Sequence, residues 1–288
     1  MDTSGVTAMF QSFGRIRLFR WLAVSLVAGT AVPAAAQGDL LVAPTRVVIN
    51  GGGASQVILS NIGEKPATYR ITLELRRMTT SGDTVDVAEA EATPQERAAL
   101  DMVRYAPRRI TLQPNQPQAV RISARPPEGL ADGEYRVHMS FRGIPDPTPV
   151  AAPTDGALPS AQGLSIRLTP IYGITIPVIV RQGQLQAGAT LANPRIERAG
   201  ATGQLHLDLT RSGDRSVYGE VRVLVPGQRD PVMLVRGIAI YPEVTGRKLA
   251  VPVTADQLAR LRGPVRIEYR EPPEAGGALI AALDANLR

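Results

Sequence analysis

The chain has 288 residues, no cysteine and two histidines, and its 32 lysines and arginines against 26 carboxylates give a formal charge of +6. Without thiols it has no disulfide framework, and with so few histidines a transition-metal site has almost nothing to build on. The basic residues are scattered rather than clustered, which argues against nucleic-acid binding.

In chain order, Arg15, Arg17 and Arg20 precede an apolar run from Trp21 to Ala28, then Gly29, Thr30, Pro33 and the small residues Ala34–Ala36. A basic region, a short apolar region and an A-x-A site predict a secretory signal peptide over residues 1–36, with Met1 or Met9 as start and a mature chain beginning near Gln37. The run is shorter than the roughly 20 residues of a membrane-spanning helix. The expectation is an exported protein without stable membrane insertion. Its mature part keeps 29 basic and 25 acidic residues, a charge of +4, and is long enough for one large or two medium domains.

Beyond the leader, short apolar-alternating runs are separated by turn residues. Strands are predicted at Leu40–Ile49, Gln56–Ile62, Ala67–Met78, Asp101–Leu112, Ala119–Arg125 and Glu134–Gly143, with one short helical turn at Pro94–Leu100. Tyr135 opens the last of these after Asp132-Gly133. That is the pattern of a tyrosine corner, whose ring is buried and whose hydroxyl bonds back to the preceding loop; a half-buried strand aromatic is the plainer alternative. Residues 143–163, rich in Pro, Ala and Gly, read as a long flexible loop.

A seventh strand, "GLSIRLTPIYGITIPVIVR", runs from 163 to 181, with large apolar residues at every even position from Leu164 to Val180 except Pro170. Strict alternation means one buried face. A second set follows at Gln184–Leu191, Gly203–Thr210, Val217–Val225, Val232–Tyr241, Arg247–Val253 and Pro264–Tyr269, ending in a tail with weak helical character. The pattern predicts an all-β chain of two sandwiches, the first immunoglobulin-like over 37–181 and a smaller one over 182–288. The long strand finishes the first and leads directly into the second.

Catalytic chemistry is hard to find. His138 and His206 fall in different domains, no G-x-S-x-G turn exists, and Gly51–Gly53 sits between two strands as a simple turn. Glu89, Glu91 and Glu96 read as solvated. The expectation is a protein that is not an enzyme and uses no cofactor.

The stretches "LLVAPTRVVINGGGASQVILSN", "VRYAPRRITLQPNQPQAVRI", "GEYRVHMSFRGIP" and "YGITIPVIVR", in this order, resemble the periplasmic pilus-assembly (PapD-like) chaperones, in a divergent branch. "RSVYGEVRV", "IAIYPEVTGRKLAVP" and "GPVRIEY" extend the resemblance more loosely into the second domain. It implies two immunoglobulin-like domains in an L, located in the periplasm. The partners it implies are pilus or fimbrial subunits and an outer-membrane usher. Self-association of the free protein is left open. Family members lend their clients the last strand of domain one, which satisfies an unpaired groove without nucleotide or metal.

By periodicity alone Leu164, Ile166 and Leu168 pack into the chain's own core; the resemblance makes them the donor residues. It likewise makes Arg46, otherwise an exposed arginine on a first strand, the anchor for a subunit's C-terminal carboxylate. Tyr135 and Arg181 are structural. The sequence departs from the family at Pro177, where a second cationic anchor is expected and a proline stands. Arg46 then acts alone or with another cation, and nothing in the sequence places Arg167 there. A structural or adhesive surface module without a client is the alternative function.

Overall fold

The computed structural model describes residues 40–145 and 171–287. Residues 40–182 form two packed sheets. One contains β1 (Leu40–Ala43), β3 (Gly53–Asn61), β8 (Gln118–Ala124) and β6 (Val103–Ala106), in the order β1-β3-β8-β6. The other runs β2 (Val47–Asn50), β10 (Gly173–Gln182), β9 (Gly133–Ile144), β4 (Ala67–Met78) and β5 (Thr84–Val87), with β7 (Arg109–Leu112) also on β4.

The inner faces meet in a core that includes Val42, Leu59, Ile71, Val120, Val137, Phe141, Ile176 and Val180. Alternation accounts for it: on β9 the odd residues Tyr135 to Phe141 point inward, as do the even residues Ile176 to Val180 on β10.

Two predicted strands are each two. Leu40–Ile49 breaks at Pro44–Arg46, where the chain leaves β1 for β2 in the opposite sheet. Asp101–Leu112 begins as helix, since α1 runs Pro94–Met102, and then divides at Pro107 between β6 and β7 of different sheets. A proline cannot continue a ladder as donor, so these are natural places to change sheet. Glu96 is not simply solvated. It closes a capping box with Thr93 and takes two hydrogen bonds from Arg77, at 2.7 and 2.6 Å, which holds its carboxyl down at about 2. The predicted loop begins later than expected, because Gly143 and Ile144 still belong to β9. Its remainder from 146 lies outside the described residues, as do the signal peptide, Pro170, Arg167, Leu164, Ile166 and Leu168.

Residues 187–287 form the second sandwich, with sheets β11-β12-β15 and β14-β13-β16-β17. These are β11 (Ala187–Ala199), β12 (Thr202–Gly213), β13 (Val217–Leu224), β14 (Met233–Ile240), β15 (Gly246–Val253), β16 (Gly263–Arg270) and β17 (Leu279–Leu287), with α2 (Ala255–Arg260) between β15 and β16. Leu205, Leu207, Leu209, Val221, Val223, Ile267 and Tyr269 fill its core. The tail corrects a helical expectation: 279–287 is an edge strand paired with β16, where pairing overrides the helix propensity of its alanines and leucines. β11 extends past its predicted end at Leu191 through an irregularity between Ala192 and Arg195.

Between the sandwiches one end of the outer face of the six-stranded sheet is covered. Met78 and Ile179 pack with Ala239 and Tyr241 in a small third cluster, and Lys248 N donates to Thr80 O at 2.8 Å. The link from β10 to β11 turns at Gly183, whose φ is +80° and where a Cβ would lie 2.0 Å from the Asp132 carboxyl carbon.

Candidate functional site

The register defines an open strand edge. β10 pairs antiparallel with β9 along its whole length but parallel with β2 only over Val178–Arg181. Gly143 N donates to Tyr172 O, toward β9, and Gly51 N donates to Arg181 O on the opposite side. Successive residues of an extended strand direct their amide and carbonyl groups to alternate sides. The backbone groups of residues 173, 175 and 177 therefore point away from β9. The Pro177 carbonyl meets the start of β2, where the parallel ladder opens at Val178–Val47, and no strand among the described residues pairs with residues 173 and 175 there. Pro177 lacks an N–H on this open side and so costs the β9 ladder nothing.

Arg46 stands at the end of this edge. It immediately precedes β2, so the parallel register extended by one residue brings it level with Pro177. Its Nη1 donates to Tyr241 Oη at 3.2 Å and its Nη2 to Ser216 Oγ at 2.9 Å. The guanidinium lies 4.6 Å from the centre of the Tyr218 ring and 5.5 Å from that of Tyr241, within cation–π range.

Ser216 Oγ and N both donate to Glu134 Oε2, at 2.9 and 3.1 Å. Arg181 Nε donates to the same oxygen at 3.1 Å, and the Glu134 side chain is fully buried. Glu134 thus absorbs the charge of Arg181. Arg46, bonded only to hydroxyls, has no carboxylate partner among the described residues. Arg46, Arg181 and Arg215 line a cavity of about 340 Å³ that also takes in Glu271 and Glu274.

A second cluster lies deeper in the same face. Arg136 stacks 3.6 Å from the Tyr241 ring centre and donates to Glu243, with Nη1–Oε2 at 3.1 Å. Glu243 Oε1 accepts from Met78 N at 2.8 Å. His138, opposite Pro177 on β9, is buried edge-on to Tyr241. Burial first, then Arg136, Arg76 and Arg46, push its pKa down to about 3, so the ring is neutral and its surroundings are electropositive.

Of the residues singled out in the sequence, the structure brings Arg46 and Arg181 together through Ser216 and Glu134. Tyr135 is elsewhere, buried in the first core, with its hydroxyl donating to Ala131 O at 2.8 Å. Glu134, Arg136, Ser216, Tyr218, Tyr241 and Glu243 escaped sequence reasoning, which took His138 only as an isolated histidine. The three on β9 alternate with its core residues, and that parity marks a solvent face. The second sandwich covers it instead. Among the described residues no group of three or more His, Asp or Glu side chains is placed to hold a metal ion, and no helix is long and apolar enough to cross a membrane.

No family model matches the chain, and the comparison with curated proteins found no match. Among solved structures, the chain is similar to the E. coli chaperone DraB, at 16% identity over 87% of this chain and 97% of that one, with a TM-score of 0.44. It is also similar to a chain of the CsuC–CsuE chaperone–tip adhesion subunit pre-assembly complex of Acinetobacter baumannii, at 10% identity, 86% and 98% coverage and a TM-score of 0.44. A chain of the Salmonella enterica SafA pilin–SafB chaperone complex aligns at 14% identity, with 86% and 96% coverage and a TM-score of 0.42. At these identities and TM-scores the function has to be read from this chain's own geometry.

Proposed function

We propose that this chain is a periplasmic chaperone that holds pilus or fimbrial subunits by strand donation before an outer-membrane usher receives them. The observation that carries the proposal is the edge of β10 at Gly173–Thr175, which no strand among the described residues pairs on the side away from β9 and which leads to Arg46 beside Pro177. An unpaired edge of this kind is a template for a partner strand. In the sequence Leu164, Ile166 and Leu168 continue the even parity of Ile174 to Val180, so a donor segment 164–181 presents its apolar residues on one face. The first domain, 37–181, carries that segment after the 143–163 loop, and the second domain, 182–288, supplies Ser216, Tyr218 and Tyr241 around Arg46. Arg46, without a carboxylate bonded to it among the described residues, suits a subunit's C-terminal carboxylate, which its guanidinium can grip through two hydrogen bonds.

The test is co-expression with a fimbrial-type subunit lacking its last strand. Replacing Leu164, Ile166 and Leu168 together by Ser abolishes the co-purified complex, while circular dichroism and the melting midpoint stay those of the parent chain. A complex that survives unchanged sinks strand donation by this segment and favours a surface module without a client.

A further inference from the structure

Across the strand pairs of both sandwiches, charged residues that face one another directly are almost always of opposite sign. Arg76 faces Asp86, Arg181 faces Glu134, Asp208 faces Lys248, Glu220 faces Arg270, Arg222 faces Glu268 and Arg266 faces Asp284. One rung breaks the pattern. On the six-stranded sheet Arg70 of β4 faces Arg109 of β7 on one side and Arg142 of β9 on the other. Beyond Arg142 the rung ends on Gly173 of β10.

Directly opposed residues share a face and stand about 5 Å apart at Cβ, where like charges are destabilising. All three arginines are exposed, and none of their side chains has a hydrogen bond or ion pair among the described residues. Their neighbours on the same face are neutral hydroxyls: Thr68 and Thr111 bond each other at 2.9 Å, and Ser140 accepts from Thr175 at 3.4 Å. Three arginines in register, uncompensated among the described residues, form a cationic row with one residue per strand.

We infer that this rung is a docking surface for an acidic protein partner whose carboxylates align along a strand or a strand end. A protein fits better than a lipid surface because the rung terminates at the open edge of β10, where a partner strand would pair. A partner strand laid on that edge brings its own flanking surface over the arginines. This rests on the strand-donation reading and adds to it the charge of the client: acidic where it overhangs β4, β7 and β9. Such peripheral charges act mainly on the association rate and its salt dependence.

The experiment has two arms. Binding to immobilised poly-L-glutamate at low salt is measured for the parent chain, for Arg70→Thr/Arg109→Thr/Arg142→Thr, and for a charge-matched control, Arg97→Thr/Arg121→Thr/Arg125→Thr, at three other exposed arginines. The rung variant loses at least tenfold in affinity and the control less than threefold. In the second arm, the association rate with the co-expressed fimbrial-type subunit falls about tenfold for the rung variant and loses most of its salt dependence, while the complex still forms. The rung variant melts no lower than the parent, because like-charge repulsion is removed. Equal losses in rung and control variants overturn the proposal, as does rung-dependent binding to phosphatidylglycerol vesicles without binding to poly-L-glutamate. If no subunit binds even the parent chain, the chaperone reading fails, and the poly-L-glutamate arm still decides the surface.

Discussion

At the scale of single residues, the most consequential position on the covered face is His138, because burial and three arginines keep it neutral. Its folded pKa of about 3 lies below an unfolded value of about 6.5. Stability from keeping the ring neutral is therefore complete above about pH 6.5 and declines as pH falls toward 3, by up to about 1.4 kcal/mol per pH unit. Glu96, also depressed, to about 2, begins to lose its contribution only below about 4.5, so the window from 6.5 to 4.5 isolates His138. Urea midpoints should fall from pH 6.5 to 5 in the parent chain and stay nearly level in His138→Gln; parallel profiles would contradict this. One residue of the face was legible in the sequence, Arg46 in its distinctive "APTRVVI" context; Tyr135, legible after Asp132-Gly133, belongs to the first core instead. Glu134 and Arg136 were not, because their alternation with core residues marks them as solvent-facing. Only contact between residues far apart in sequence reveals the cover.

At the scale of elements, the chain Arg46–Ser216–Glu134–Arg181 fastens β10 and the β1–β2 crossover to the second sandwich. Glu134 is its centre, since one buried oxygen receives three donors. Removing one partner of a buried ion pair leaves the other uncompensated, at a cost of about 3 kcal/mol. Glu134→Ala is expected to lower unfolding free energy by about that amount in urea titration; a change below about 0.5 kcal/mol would show that solvent replaces the carboxylate. Alternation located most strands within a few residues. It missed where Pro44 and Pro107 pass the chain between sheets, because a sheet change leaves the apolar pattern nearly intact. It also missed α2, a six-residue helix too short to show a 3.6-residue period, although Thr254 and Gln257 form its capping box. In the tail, composition favoured helix and the unpaired side of β16 decided for strand.

At the scale of the whole molecule, two sandwiches with separate cores enclose one covered face, and beside it the first part of β10 is paired on one side only among the described residues. The two-sandwich, all-β architecture was readable from the spacing of turns. The open edge was not, because it depends on where β2 joins β10, and β2 begins only at Val47, opposite Val178. Everything proposed about clients depends on that edge being filled by a partner. Parity assigns the amides of Gly173 and Thr175 to the open side and those of Ile174 and Ile176 to β9. Amide hydrogen exchange of the free chain and of its complex with a fimbrial-type subunit, resolved at single residues, separates the two sets. Strand donation predicts that Gly173 and Thr175 slow at least tenfold on complex formation while Ile174 and Ile176, already bonded, change little. A stable complex in which Gly173 and Thr175 exchange as fast as in the free chain would contradict it.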